Sequence, residues 1–583
     1  MLGALNSNCG ASPERHTAVL HRRAWRYAAC AQAECLRYLH PRFFLLSKDL
    51  RRCKTGTLKL LRRFCLLALL SFAGCDASDK RADLVILNGA EPESIDPAVV
   101  TGQLEGRICY ALFDGLLHFD RFGRPQAAIA EHWEVSSGGK VYIFNLRSDA
   151  KWSNGDPVTA TDFARSWERV LRPDTASEYA YLLYDIKNAK PYNEGTLTDF
   201  GKVGIKAVDA RTLTVELAAP VPYFLDLCAF VTLLPVHIPT VEKYGDDWIK
   251  PGRLVNDGPF LLKDWRLNYR IRLVKNPQYW DAAHVALTTV DALPIDNSIT
   301  AYNFYASKVA DLILDKGLTP ASLIPELKKR PDFHAAPFLG TYFIRFNVTR
   351  KPFDDVRVRQ AFAMAIDRRR IVEKITQAGE PPAYSFTPPG TGTGYDPPRI
   401  FGLNLQRARE LLAEAGYPGG KGFPAVAYLY DNKKLNEDIA VELQNMLAVG
   451  LGVHVELQKQ EWKVYLNSLS RLDYDFARSS WVGDYNDPNT FVDCFASGSG
   501  NNRTGWTSPE YDRLIAAAAQ EPDSRKRLQI LKESEDLLLN RATPICPLYF
   551  YVGIQIFDAQ RFGGIEPNLL DEHPFREMYR KSL

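Results

Sequence analysis

Lys434-Leu-Asn-Glu-Asp-Ile-Ala-Val-Glu-Leu-Gln-Asn-Met-Leu-Ala-Val-Gly450 reads as a helix, and Val453-His-Val-Glu-Leu457 follows it as a strand. A helix, a glycine turn and a β-rich strand in close succession are the grammar of an α/β protein. The same alternation extends outward in both directions. Val141 to Arg147 reads as a strand. Thr159 to Leu171 reads as a helix, capped by Thr159 or Thr161, with Asp162 in its first turn and Phe163, Ser166, Trp167 and Val170 on one face. Asp354 to Ile375 is expected to be one long amphipathic helix, with Val358, Phe362, Ala365 and Ile366 on one side. Leu405 to Ala415 is another helix, stopped by Gly416 and Pro418.

The chain has 583 residues, enough for two or three domains. Its formal charge of +3 misleads. The first 75 residues hold 13 Lys and Arg against 3 Asp and Glu, which leaves 59 basic and 66 acidic residues from 76 onward, a net of −7. A mildly acidic body with no basic patch gives no reason to expect nucleic-acid binding.

The basic excess belongs to a leader. Lys54, Lys59, Arg62 and Arg63 precede an apolar stretch from Phe64 to Ala73, and the small residues Ala73 and Gly74 precede Cys75. About ten apolar residues suit the core of a signal peptide and are too few to span a bilayer. The segment resembles a bacterial lipobox, in which the cysteine is acylated, with Phe72 where Leu is usual. That resemblance implies a lipoprotein signal over 51–75, lipidation at Cys75 and, with Asp76 next, retention at the inner membrane; a plain secretory signal is the alternative. Residues 1–50 precede this signal and read as a mis-assigned or non-structural extension. Cys109, Cys228, Cys494 and Cys546 have no zinc-like spacing and are expected to be buried free thiols.

Motifs of enzyme chemistry are missing. There is no G-x-S-x-G and no H-E-x-x-H. Gly416 to Gly422 resembles a phosphate loop only faintly, since Gly422 stands where Ser or Thr would hold Mg²⁺. The ten histidines are scattered from His16 to His573 without an i, i+4 pair. No catalytic residue, cofactor or metal is expected.

The informative stretches are of another kind. They run Glu91-Pro-Glu-Ser-Ile-Asp-Pro97, Ala111-Leu-Phe-Asp-Gly-Leu-Leu117, Lys151-Trp-Ser-Asn-Gly-Asp-Pro-Val-Thr-Ala160, Asn256-Asp-Gly-Pro-Phe260, Phe353-Asp-Asp-Val-Arg-Val-Arg359 and Trp481-Val-Gly-Asp-Tyr-Asn-Asp-Pro488. In this order they resemble the signature of the family 5 extracellular solute-binding proteins, the oligopeptide- and dipeptide-binding group. The resemblance covers essentially all of 80–583. It implies an α/β two-lobed periplasmic-binding-protein fold of type II, the three-domain variant, with a hinge between lobes. Domain I would comprise 76–113, 236–339 and 556–583, domain II 114–235, and domain III 340–555, with the chain crossing between lobes near Leu339 and Val552.

A receptor for peptides of mixed sequence must grip what all peptides share: backbone, ammonium and carboxylate. By resemblance, Asp484 grips the α-amine and Arg478 the carboxylate of short ligands. Ser480, Trp481 and Val482 would pair with the peptide backbone and Tyr485 belongs to the same motif. Gly102 and Gln103 would meet the other peptide edge, and Tyr181, Tyr184 and Tyr430 are expected cleft aromatics. A disulfide and a lysine known in relatives fall at Gly340, Val482 and Ala363, so both are absent. The implied partners are short peptides and an inner-membrane ABC permease with its ATPase subunits. The body is expected to be a periplasmic monomer held to the membrane by its lipid alone. Murein tripeptide, dipeptide, glutathione, haem or nickel as cargo, or a sensing or chaperone-like role without import, remain open at this point.

Overall fold

The computed structural model describes residues 80–582. The expected leader, Cys75 and the extension before it lie outside the described residues. β1 (Leu84–Leu87) is buried at every position, as a strand covered on both faces must be. A short hairpin, β2 (Leu117–Phe119) and β3 (Pro125–Ala127), follows. Four strands then make an antiparallel sheet of their own: β4 (Ala130–Ser136), β5 (Val141–Leu146), β6 (Ile205–Ala207) and β7 (Thr212–Glu216), in the order β4-β5-β7-β6.

The rest of the strands build a larger sheet. They are β8 (Phe260–Arg266), β9 (Arg270–Lys275), β10 (Thr289–Leu293), β11 (Leu312–Ile313), β12 (Phe333–Phe346), β13 (Val426–Asp431), β14 (Val455–Gln460), β15 (Phe476–Val482) and β16 (Ile545–Phe557). With β1 they run in the order β14-β13-β15-β12-β16-β11-β1-β10-β9-β8. A two-stranded ribbon, β17 (Phe562–Gly563) and β18 (Tyr579–Arg580), lies near the C-terminus.

β12 and β16 are the longest strands and pair antiparallel along both halves. Their register breaks between Pro337 and Thr341, with Val552 opposite Pro337. Beyond the break β12 also pairs with β15, from Gly340 against Val482 to Phe346 against Phe476. Gly340 must be glycine here, because a Cβ would stand 2.5 Å from the Tyr551 ring. Gly340 and Val482, which the sequence comparison placed at the two halves of a lost disulfide, are direct cross-strand partners.

The helix before β6 spans Ala160–Leu171. Thr159 is its N-cap, and the Asp162 carboxylate accepts from the Thr159 N–H at 2.7 Å and from its hydroxyl at 2.8 Å. Its buried face includes Phe163, Ser166, Trp167 and Val170, as the spacing required. Trp167 Nε1 donates to the Leu233 carbonyl at 2.8 Å, which satisfies the buried indole.

Two expectations need correction. The helix read over Asp354–Ile375 is broken: Val356–Ala365 ends at an extended Ile366, and a second turn begins at Arg368. Asp367 is the cause, since its carboxylate caps the new turn by accepting from the Arg370 N–H at 3.0 Å. The buried Arg368 then reaches across to the Pro547 carbonyl at 2.7 Å. The strand read over Val453–Leu457 starts later, at Val455, because Gly452 closes the preceding helix in the left-handed region. Cys109, Cys228, Cys494 and Cys546 are buried free thiols, as expected. Among the described residues no helix is long and apolar enough to cross a membrane, and no cluster of three acidic, His or Cys side chains is placed to hold a metal.

A buried ion pair joins the chain's C-terminal segment to its first third. Arg576 Nη1 donates to Asp114 Oδ1 at 2.7 Å, while Asp114 Oδ2 accepts from Tyr279 Oη at 2.8 Å and Trp280 Nε1 at 2.9 Å. Burial opposes ionisation of Asp114, but the Arg576 and His118 side chains outweigh it and hold the carboxyl well below the usual range. Asp114→Asn is expected to cost about 3–5 kcal/mol, because it strands the Arg576 charge. Urea unfolding at pH 7 measures the loss. A depressed folded pKa contributes stability above the unfolded value near 3.9 that is lost as pH falls below it, so the difference between wild type and variant should shrink below about pH 4.

Candidate functional site

β15 ends at Val482, and the next residues enter a cavity. Gly483 packs so closely on Leu339 and Thr490 that a Cβ would meet Leu339 at 2.7 Å. Its N–H donates to the Leu339 carbonyl at 2.7 Å. The Asp484 N–H donates to Thr490 Oγ1 at 3.1 Å, and Trp481 Nε1 to the Thr490 carbonyl at 2.7 Å. This loop is therefore fixed by backbone and hydroxyl bonds, and its carboxylate is aimed rather than free to wander.

The cavity encloses about 300 Å³, the lower end of the range for small-molecule sites. One wall is Thr101, Gly102 and Gln103, at the start of the helix Gln103–Leu112. Another is aromatic: Tyr110, Phe119, Tyr179, Phe230 and Phe338. Val482, Gly483 and Asp484 close the third side, and Leu570 and Glu572 come from the C-terminal segment.

Asp484 is half-buried and has no cationic partner among the described residues. Tyr181 Oη donates to its Oδ2 at 3.1 Å. Burial pushes the carboxyl up to about 7, against the opposing pull of the Tyr181 and Tyr179 hydroxyls. Such a group can take a proton or a ligand's cation at neutral pH, which suits it to bind an ammonium.

Behind Asp484, residues on both sides of the cavity lock together. Tyr223 stacks on Tyr485, with centroids 4.1 Å apart and planes 11° from parallel. Tyr223 Oη donates to Asp185 at 3.0 Å, and Asn489 Nδ2 lies 3.3 Å and 3.2 Å from the Tyr223 and Tyr485 hydroxyls. Arg527 grips Asp487 with two bonds of 2.8 Å. Asp493 stands half-buried beside this group, and desolvation together with Asp484, Asp185 and Asp487 pushes its carboxyl well up. The tyrosine stack is thus the dry seam between residues near 223 and residues near 485.

The sequence-predicted residues divide into two groups. Gly102, Gln103, Val482 and Asp484 line the cavity, and Tyr181 bonds to Asp484. Ser480 and Trp481 stand on β15 just before it, Ser480 opposite Tyr342 and Trp481 opposite Thr341. The other four lie outside this cavity. Tyr485 is buried in the stack with Tyr223. Tyr184 donates to Asn193 at 2.6 Å, and Tyr430 is buried on β13. Arg478 is also buried, 5.2 Å from the Tyr342 ring centroid and 3.7 Å from Asp431 Oδ1. Its Nε, Asp431 Oδ2 and the hydroxyls of Tyr342 and Tyr428 are buried without hydrogen-bond partners. Lining residues that the sequence reading did not name as site residues include Tyr110, Phe119, Tyr179, Phe230, Phe338 and Glu572, which the fold brings in from segments distant along the chain.

β13 pairs with β15 only at Tyr428–Phe476 and Leu429–Ala477. From Ser479 to Val482 the second edge of β15 has no strand partner among the described residues, although the Arg478 carbonyl just before it accepts from Tyr465 Oη at 2.5 Å. An open strand edge leading to a desolvated carboxylate is a receptor for an extended chain that begins with an amine.

Known proteins resemble this chain in sequence and in fold. The sequence profile of the bacterial extracellular solute-binding proteins, family 5, matches residues 124–503. The periplasmic oligopeptide-binding protein OppA of Salmonella typhimurium is 39% identical over 518 residues, covering 87% of this chain and 94% of its own. The murein tripeptide binding protein MppA of Escherichia coli superposes with a TM-score of 0.76 at 34% identity, over 87% of this chain and all of its own. Haemophilus influenzae OppA, in complex with the peptide RPPGFSPFR, superposes at 0.75 with 32% identity, over 86% of this chain and 99% of its own. The chain therefore belongs to the family 5 extracellular solute-binding proteins and carries their two-lobed α/β fold.

Proposed function

We propose that this chain is an exported receptor that captures short peptides between its lobes and hands them to an ABC permease and its ATPase subunits. The observation that carries the reading is Asp484: a carboxylate in an aromatic cavity, hydrogen-bonded by a phenol and lacking any cation. A peptide's α-ammonium supplies the missing charge. The backbone of the first residues pairs with the open edge of β15 at Ser480–Val482 and meets Gly102 and Gln103 from the other side. Similarity to receptors whose names specify oligopeptides and a murein tripeptide supports peptides as the cargo. The described residues offer no constellation that favours catalysis.

Arg478 stands on β15, six residues before Asp484. It is the cation for the carboxylate of a short peptide, but Asp431 already shares its charge. Arg478→Gln is therefore expected to weaken binding less than removal of the Asp484 charge does.

The domain boundaries follow the sequence reading: 76–113, 236–339 and 556–583 in domain I, 114–235 in domain II, and 340–555 in domain III. The register break at Pro337–Thr341, opposite Val552, is the hinge, because a β-irregularity is where paired strands bend most easily. The working location is the periplasm, with Cys75 acylated and the protein held to the inner membrane.

Asp484→Asn keeps the shape and removes the charge. Stranding a buried ammonium costs about 3–5 kcal/mol, a weakening of about a hundredfold or more. Calorimetry with free and N-acetylated tripeptides should show wild type strongly preferring the free amine and the variant nearly indifferent; an undiminished preference in the variant would place the anchor elsewhere. The pH profile follows from the same group. An empty carboxyl raised to about 7 must lose its proton to meet an ammonium, so affinity should rise from pH 5 toward 7. It should fall again above the α-amine pKa near 8. The rising limb should vanish in Asp484→Asn. Small-angle scattering should give a smaller radius of gyration with a saturating peptide than without it; an unchanged radius on confirmed binding contradicts the hinge. Cys75→Ser should abolish metabolic lipid labelling, and retained labelling would refute the anchor.

A further inference from the structure

Asp484 is not the cavity's only carboxylate. Glu572 enters from the C-terminal segment and lines the same 300 Å³ space. Its backbone is pinned at both ends by Asn568: the Glu572 N–H donates to Asn568 Oδ1 at 3.2 Å, and its carbonyl accepts from Asn568 Nδ2 at 2.8 Å. Its carboxylate, by contrast, makes no hydrogen bond or ion pair with any described residue. Arg107, whose guanidinium donates to Asn88 Oδ1 at 2.9 Å, attracts it through charge without a hydrogen bond or ion pair. Among the described residues no Lys, Arg or His lines the cavity. Apart from the uncharged wall at Thr101 and Gln103, what surrounds the two carboxylates is hydrocarbon and ring: Tyr110, Phe119, Phe230, Val231 and Leu570.

Two acids in an otherwise aromatic chamber describe the complement of a particular ligand. It has two positive groups joined by a short apolar stem. An α-ammonium on Asp484 satisfies one of them. The first side chain leaves the peptide beside the α-ammonium, so within one small cavity it is the group placed to supply the second cation. We propose that Glu572 is a specificity-determining residue of the cavity, and that it selects peptides whose first residue carries a cationic, lysine-like side chain. This inference rests on the assignment of Asp484 as the amine anchor.

The protonation state of Glu572 adds a second signature. Burial, helped by Asp571 and opposed by Arg107, pushes its carboxyl up to about 8 in the empty cavity. Tyr110 also faces it, with its own ionisation suppressed by burial and by Glu572. A cation that enters must therefore displace a proton at neutral pH. The advantage of a cationic first residue should grow as pH rises from 6 toward 8.

The test compares two tripeptides, Lys-Ala-Ala and norleucine-Ala-Ala, by calorimetry on the whole protein. Norleucine copies the four-carbon stem and omits the charge. Wild type should prefer the lysine peptide by about 10- to 100-fold, the range a charge-assisted hydrogen bond supports. Glu572→Gln should lose most of the preference for lysine while melting at the temperature of wild type, which shows that the variant is folded. Asp484→Asn should weaken both peptides together. Equal wild-type affinity for the two peptides would overturn the proposal. So would a lysine preference that survives in Glu572→Gln, or one that does not change between pH 6 and 8. Absence of binding of either peptide by wild type would overturn the amine anchor itself, and is distinguishable because it leaves no preference to measure.

Discussion

Two long strands hold this molecule in register. β12 and β16 run side by side for 14 and 13 residues, and nearly every element that matters is placed relative to them. On one flank β12 carries β15, and β15 carries Asp484 at its end. On the other flank β16 carries β11, which pairs with β1, whose continuation leads to the helix at Gly102. The cavity exists because these flanks deliver loops to one place. Nothing else in the sheet fixes that meeting, and the pair's own irregularity lies beside it, at Pro337–Thr341.

Carboxylates at two positions illustrate how environment assigns a role. Asp114 is fully buried and surrounded by donors: a guanidinium, a phenol and an indole. Its charge is compensated in place, so it cements the fold and has nothing left to offer a ligand. Asp484 is held as firmly through its backbone, but its carboxylate meets only hydroxyls. The two pKa directions are opposite for that reason. A fold can hold an uncompensated carboxylate when the compensation arrives from outside, and this distinguishes a binding group from a structural one.

Much of the architecture could be read from the chain before its structure. The helix at Ala160–Leu171 was visible in its spacing and its cap, because both are local and need no tertiary partner. The pairing of Gly340 with Val482 was implied by family resemblance and appears in the register. Asp484 was singled out on the same resemblance, and the structure puts it in a cavity. The failures are tertiary. The interruption at Ile366–Asp367 hides within an apolar pattern that continues across it, and only the pull of Arg368 toward Pro547 reveals the break. Nor could sequence show that Asp431 stands beside Arg478, because that contact spans two strands it could not place together. Glu572 carries no motif, and its position depends on how the C-terminal segment packs against Asn568.

The four cysteines of the described chain are all reduced and buried, and the cross-strand position where a bridge was lost holds Gly340 and Val482. Among the described residues no disulfide therefore ties one part of the body to another, and the fold rests on non-covalent contacts. In practical terms, no bridge has to re-form after a bound peptide is stripped away in denaturant; what refolding needs is a reductant, because unfolding exposes four thiols that can oxidise to wrong pairs.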